Sequence, residues 1–244
     1  MTFLDDGTAL VRMPSWALYD GKWDWKAWLE ETFARLAAKK TKALILDLRG
    51  NEGGLDVGDL VLAHLIDHDL IVDGYSRKVR YRRVPDALIP YLDTWDKSFR
   101  DWGAEAMNPK DGFYDLKGEE PSGPKVIHPL APRFAGRVAV LADGSNSSAT
   151  FQFDQVAQEQ HLAVLVGQPT GGNQRGINGG AFFFLRLPYS RLEADLPLIA
   201  NFPSRPRPDA GLAPDVLASP TAQDIAQGTD VALAAARRTL SLGR

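Results

Sequence analysis

Ala142-Asp143-Gly144-Ser145-Asn146-Ser147-Ser148-Ala149-Thr150 stands between an apolar run, Val138 to Leu141, and a helix-like run, Phe151 to Gln160. A strand, a tight polar turn and a helix start, in that order, leave a hydroxyl at a helix N-terminus. There, unpaired backbone N–H groups and the positive end of the helix dipole favour an oxyanion beside a serine nucleophile. The plainer reading is a Ser/Asn/Gly turn with a serine N-cap, which the capping preference of these residues explains without any chemistry. The rest of the chain decides between the two.

Upstream, Ala43 to Leu48 is a short continuous apolar run after a basic loop, the mark of a strand buried on both faces. Arg49-Gly50-Asn51-Glu52-Gly53-Gly54 follows it, and a helix is expected from Leu55 to Ile66, so a second turn with bare backbone N–H groups lies between strand and helix. Its spacing matches neither Gly-x-Gly-x-x-Gly nor the phosphate loop ending in Gly-Lys-Ser/Thr, which argues against a nucleotide. Asp47 and Arg49 read as scaffold for this turn. Further upstream, Thr8 to Met13 reads as a strand ending at Pro14. Trp25, Trp28, Leu29, Phe33, Leu36 and Ala37 recur at helical spacing behind Asp24 as N-cap, which assigns the tryptophans to the core.

His64 and His68 stand at i, i+4, but no Glu follows the first and no third ligand is evident, so they read as surface or helix-end histidines and no metal is expected. Arg77, Lys78, Arg80, Arg82 and Arg83 alternate with Val79 and Tyr81 as an exposed edge strand would. Residues 85–133 show little periodicity, and an irregular lid-like insertion is expected at about 74–136, with Tyr91, Trp95, Phe99 and Trp102 as candidate substrate contacts over a packing default. Downstream, Ala163 to Val166 reads as a buried strand running into Gly167-Gln168-Pro169-Thr170-Gly171-Gly172-Asn173. Strands are expected at Ala181 to Leu187 and Glu193 to Leu198, and a closing helix from Thr221 to Leu240 with Gly228 as its weak point. The alternation of strands and helices is that of an α/β domain.

Composition narrows the function. The 44% hydrophobic and 24% charged content is that of an ordinary globular protein, and 28 basic against 31 acidic residues give a net charge of −3, with nothing pointing to a nucleic acid. The absence of cysteine removes disulfides and thiolate metal sites but leaves the compartment open, export to the periplasm or cell envelope included. No apolar run is long enough for a transmembrane segment, and the N-terminus has no signal-peptide pattern.

Three motifs now stand in order: Leu46-Asp47-Leu48-Arg49-Gly50-Asn51-Glu52-Gly53-Gly54, Gly144 to Thr150, and Gly167-Gln168-Pro169-Thr170-Gly171-Gly172. Together with Asp209-Ala210-Gly211-Leu212-Ala213-Pro214-Asp215, they resemble the C-terminal processing (tail-specific) peptidases and the tricorn protease core, from about residue 8 to the C-terminus. The resemblance implies a Clp protease/crotonase-like spiral of β-β-α units over residues 1–244, hydrolysis of a peptide or protein substrate, and no cofactor. It places the nucleophile on Ser148 and the backbone oxyanion hole on Ala149 and the Gly53-Gly54 turn; substrate contacts are further expected at Gly171, Gly172 and Asn173, and Asp209 is a candidate orienting acid.

The base is where this sequence departs from the family. Where processing peptidases carry a lysine, Asn173 stands, and it accepts no proton; Arg175 nearby stays protonated. The histidine-bearing Asp-x-His-Thr-like segment of the tricorn branch is not among these residues. His161 lies at the far end of the Ser148 helix, and of the four histidines His128 is the one candidate base for reaching Ser148. The expectation is a catalytic core whose base comes from an upstream segment. The alternatives are a non-catalytic ligand- or peptide-binding module on the same fold and an acyl-thioester enzyme of the crotonase kind.

Overall fold

The computed structural model describes residues 1–117 and 124–241. In chain order its elements are β1 (Thr2–Phe3), β2 (Ala9–Arg12), α1 (Trp25–Ala38), β3 (Ala43–Asp47), α2 (Val57–Ala63), β4 (Leu70–Val72), β5 (Tyr75–Val79), β6 (Leu92–Asp93), β7 (Ala106–Lys110), β8 (Phe113–Leu116), β9 (Lys125–Ile127), β10 (Arg137–Ala142), α3 (Ser148–Glu159), β11 (Val164–Gly167), β12 (Ile177–Arg186), β13 (Glu193–Pro203), β14 (Val216–Leu217), α4 (Ala222–Gln227) and α5 (Val231–Ser241). They form two compact units, Met1–Val72 with Val126–Asn173 and Asp209–Arg244, and Asp73–Lys125 with Gln174–Pro208. The second unit therefore takes in residues 174–208 and leaves 126–136 to the first, a different division from a single insertion at 74–136. No helix among the described residues is long and apolar enough to cross a membrane.

The first unit is an α/β layer structure around a sheet of order β1-β2-β3-β10-β11-β14, parallel from β2 to β14 with β1 antiparallel at the edge. Strands covered on both faces must be apolar throughout. Leu44, Ile45, Leu46, Val140 and Leu141 are accordingly almost inaccessible. Ile45, Ala139, Leu141 and Val166 meet Ala232, Ala235, Ala236 and Leu240 of α5, whose alanines let the helix approach closely. The alternate residues face the other way, on the side of α1, α2 and α3. Phe153 of α3 packs on Gly58 of α2, where a Cβ would lie 2.7 Å from that of the phenylalanine.

α1 is N-capped by Asp24, whose carboxylate accepts the Ala27 N–H at 3.0 Å, and it buries Leu29, Phe33 and Leu36. Each such side chain contributes about 1.5–3 kcal/mol by leaving water. Trp25 and Trp28, expected in the core, are only partly buried, and Trp28 lies against Trp23. The closing helix is two helices: Gly228, at φ 65°, ends α4, and Asp230 accepts the Leu233 N–H to start α5. A glycine in the left-handed region is a stop signal, and here it outweighs the continuous helical spacing around it.

The second unit is an antiparallel sheet of order β6-β12-β13-β5-β8-β7. The basic strand expected at an edge is interior, with β13 on one side and β8 on the other. Its charge is tolerated there because Lys78 sits directly opposite Asp115 and pairs with it at 3.0 Å. Val79, Trp102, Ala106, Leu116, Ala181 and Ile199 form the core. Trp102 is thus a packing residue, while Trp95 is 61% exposed against Phe182 and Phe184.

Candidate active site

Because β3 and β10 are parallel neighbours in register, the turns at their carboxyl ends lie side by side, as sites of open α/β sheets do. Four side-chain bonds stitch them together. Asn146, fully buried, donates to the carbonyls of Leu48 at 2.6 Å and Asn51 at 3.2 Å; the Asp143 carboxylate accepts the Gly50 N–H; and Ser147 Oγ donates to the Glu52 carbonyl at 3.0 Å. Asn51, also fully buried, donates to the Met13 carbonyl and accepts the Gly53 N–H at 2.9 Å. Buried polar groups must be paired: Asn146 spends its amide donor across the two turns and its oxygen on the Asp143 N–H of its own, while Asn51 fixes the glycine turn from within and ties it to Met13.

Ser148 begins α3 with φ at 49°, a left-handed conformation uncommon for a residue other than glycine. Backbone strain of this kind gathers at functional sites. Gly53, at φ 102°, is packed against it: a Cβ on Gly53 would lie 2.7 Å from Ser148 Cβ and 3.0 Å from the Ala149 nitrogen. Only glycine allows this approach. Because Ser147 Oγ is spent on Glu52, the first turn of α3, Ala149 included, has no side-chain cap. Ser148 Oγ makes no hydrogen bond among the described residues.

The other expected site residues are placed as follows. The Gly53 N–H is already donated to Asn51, so the open donor of the glycine turn is Gly54, held between the Gly53 carbonyl, which accepts the Trp16 N–H, and the Leu55 N–H, which donates to the Trp16 carbonyl. Gly171 and Gly172, expected to contact substrate, both donate their N–H to the Asn146 carbonyl, at 3.0 and 2.9 Å, which removes them as donors to a ligand. Their glycine identity is a packing requirement, since a Cβ would run into the Gly144 carbonyl or the Phe151 ring. Asn173 follows them and donates to Asp209 at 2.8 Å. Asp209 is brought there by the segment behind it, where Leu212 exchanges hydrogen bonds with Thr170.

No histidine is bonded to Ser148. His128, the candidate base, pairs with Asp69 at 2.8 Å where β4 meets β9, and Leu130 just beyond it binds the Ala63 carbonyl at the C-terminal end of α2. The Gly53-Gly54 turn precedes the other end of that helix, about 10 Å away by helix rise. His64, expected at the surface or a helix end, is the C-cap of α2 but buried: it stacks on Phe33 at 4.2 Å and its Nδ1 lies 3.0 Å from the Pro132 carbonyl. Burial depresses its pKa. His68 pairs with Asp67, and His161 lies past the end of α3. No group of three or more ionisable ligands able to hold a metal occurs among the described residues.

Asp47 and Arg49 form a two-bonded ion pair, both contacts at 2.8 Å, and Arg49 reaches on to Asp230 at 2.8 and 2.9 Å. Both partners hold the guanidinium in its charged form. The sequence reading did not single out Asn51, Asn146 or Asp143. The available signal was short amide and carboxylate side chains inside two glycine-bearing turns, which capping preference explained away.

Residues 7–180 match the profile described as Peptidase family S41. No curated protein matches the chain. Among solved structures, the chain is similar to a candidate peptidase from Parabacteroides merdae, at 22% identity and a TM-score of 0.57, covering 98% of this chain and 62% of that one. It is also similar to mature CPAF complexed with lactacystin, at 18% identity and a TM-score of 0.60, covering 98% and 52%. A third likeness is to the photosystem II D1 C-terminal processing protease, at 16% identity and a TM-score of 0.48, covering 87% and 42%. The chain thus spans about half to three fifths of the length of the first two.

Proposed function

This chain belongs to peptidase family S41, and we propose that it carries the nucleophile and oxyanion hole of a serine peptidase of the C-terminal processing kind, on a Clp protease/crotonase-like spiral. The observation that carries the reading is the strained Ser148 at the uncapped N-terminus of α3, packed on Gly53. Ser148 Oγ attacks the carbonyl carbon of a peptide or protein substrate. The negative charge that develops on the carbonyl oxygen is met by the N–H groups of Ala149 and Gly54, fixed before reaction by the Asn51 and Asn146 bonds. Gly53 acts by leaving room.

The serine proton needs a base, and Asn173 cannot take it. In this reading a histidine from an upstream segment accepts the proton and returns it to the leaving amine, and Asp209, steadied by Asn173, orients the imidazole. Residues 1–244 alone then label slowly with a fluorophosphonate. A longer form carrying the histidine labels about 10²- to 10⁴-fold faster, the usual contribution of general-base help, and Ser148→Ala abolishes the signal. Robust peptidase activity of residues 1–244, lost in His128→Ala, would overturn the assignment of the base. Failure of the longer form to label would leave the binding-module reading.

A further inference from the structure

A cavity of about 730 Å³ opens in the first unit at the end of the sheet opposite the catalytic turns, where β3 begins at Ala43 and β10 at Arg137. Its charged lining is Lys39, Lys40, Lys42, Arg137 and Arg237 against one carboxylate, Asp6. The charge of Arg237 is answered by Asp5 and Asp6. The other four have no carboxylate partner among the described residues; the Lys39 ammonium lies over the Phe3 ring, 4.6 Å from its centroid. Cations do favour helix C-termini, and α1 ends at Ala38, which accounts for Lys39 and Lys40. It does not account for Lys42 and Arg137, which stand at strand starts.

Two further features resist a purely structural explanation. Arg137 Nη1 has no hydrogen-bond acceptor among the described residues, and because it is closed off from solvent a bound anion would satisfy it only after the guanidinium turned toward the cavity. Arg137 is fixed beside the lysines, its N–H donated to the Lys42 carbonyl at 2.9 Å. Lys40 holds φ at 51°, in the helix-ending position that glycine fills without strain, and its turn is closed by bonds from Lys40 to Ala37 and from Thr41 to Leu36. The strained residue is thus a lysine, at a position that lines the cavity.

We propose that this cavity binds a phosphate-bearing small molecule. Four uncompensated cations suit the charge of phosphate oxygens, and a guanidinium matches their geometry. The volume is that of a small-molecule site, and Phe3 and Leu240 give it an apolar wall for the remainder of such a ligand.

The probe is inorganic pyrophosphate, titrated calorimetrically into the whole chain at an ionic strength of about 0.15 M. Saturable binding to one site is expected. Lys42→Ala weakens it about tenfold, the equivalent of one lost charge-assisted hydrogen bond. Lys40→Gly weakens it similarly while raising the melting temperature of the unliganded chain by about 2–4 °C, because the backbone strain is relieved. The proposal fails if pyrophosphate does not bind saturably or if Lys40→Gly stabilises without loss of affinity. It fails equally if Lys97→Gln, in the other unit, weakens binding as much as the cavity variants do.

Discussion

Replacing Gly53 by alanine tests whether the two turns are packed as described, and replacing Gly50 supplies the control. Both glycines have positive φ, 102° and 79°, so an alanine at either costs about 1–2 kcal/mol of backbone strain. A Cβ at position 50 meets nothing within 4 Å, and the cost ends there. At position 53 it meets Ser148 Cβ at 2.7 Å and the Ala149 nitrogen and Ser147 carbonyl at 3.0 Å. None of the three can swing aside, since two are backbone and the third is pinned to a strained residue. Overpacking of this kind adds about 1–3 kcal/mol, so Gly53→Ala should lose about 2–5 kcal/mol in all. Stabilities of 5–15 kcal/mol are typical, so only the largest loss against the smallest stability would leave the variant unfolded. Urea unfolding of both variants is the assay, and the expected signature is a lower midpoint for Gly53→Ala than for Gly50→Ala. Equal midpoints would mean that the turns do not touch, and the site as built would fall with them.

Asp154 is fully buried with neither carboxylate oxygen bonded, and burial, helped by the nearby Asp143, raises its pKa well above 3.8. Its stability contribution is fully present below about pH 3.8 and lost as the pH rises through the folded-state value. Between about pH 3.8 and the folded-state value, Asp154→Asn should therefore gain on the parent by up to about 1.4 kcal/mol per pH unit, levelling off above it, and parallel stability–pH curves would refute this. Asn146→Leu leaves the Asn51 carbonyl and the Asp143 N–H unpaired and takes one of two donors from the Leu48 carbonyl, and it should cost about 2–4 kcal/mol in chemical denaturation, against under 1 kcal/mol if the two turns are independent. Arg49→Lys keeps the charge but loses the two-bonded geometry to both Asp47 and Asp230, and a loss of about 1–2 kcal/mol with unchanged fluorophosphonate labelling of an active longer form is expected. A selective loss of labelling would give the pair a catalytic role.

The parallel half of the fold was legible because its strands are buried on both faces. Ala43 to Leu46, Val138 to Leu141 and Ala163 to Val166 are continuous apolar runs, each followed within a few residues by a glycine-bearing turn, and that pattern has few other meanings. The antiparallel half was harder. β13 runs to Pro203 rather than Leu198, and much of it is exposed, so apolar content marks its course poorly. β5 looked like an edge because the residue that neutralises it, Asp115, is far away in sequence. Gly228 was visible as a weak point, but whether a glycine weakens a helix or ends it depends on its φ, which residue identity does not give.

The candidate site divides along the same line. Its proposed nucleophile and the need for glycine beside it follow from residue types, because a hydroxyl at a strand–turn–helix junction and a close approach each restrict what can stand there. The donors do not follow from residue types. Gly53, Gly171 and Gly172 all read as backbone donors, yet each N–H is taken by an asparagine, Asn51 through its side chain and Asn146 through its carbonyl. A glycine-rich turn exposes amides in proportion to what its neighbours leave unpaired, and that tally needs every partner's position. The same tally accounts for Ser148. Its left-handed φ is unfavourable locally, and it is held by bonds made on either side: Ser147 to Glu52, Phe151 to Ser147, and Asn146 to the glycine turn. Under the proposed mechanism this chain supplies the geometry of attack, written in glycine and asparagine, and proton transfer rests on a residue from another segment. Loosening the asparagine bonds should then slow an active longer form even with its base intact.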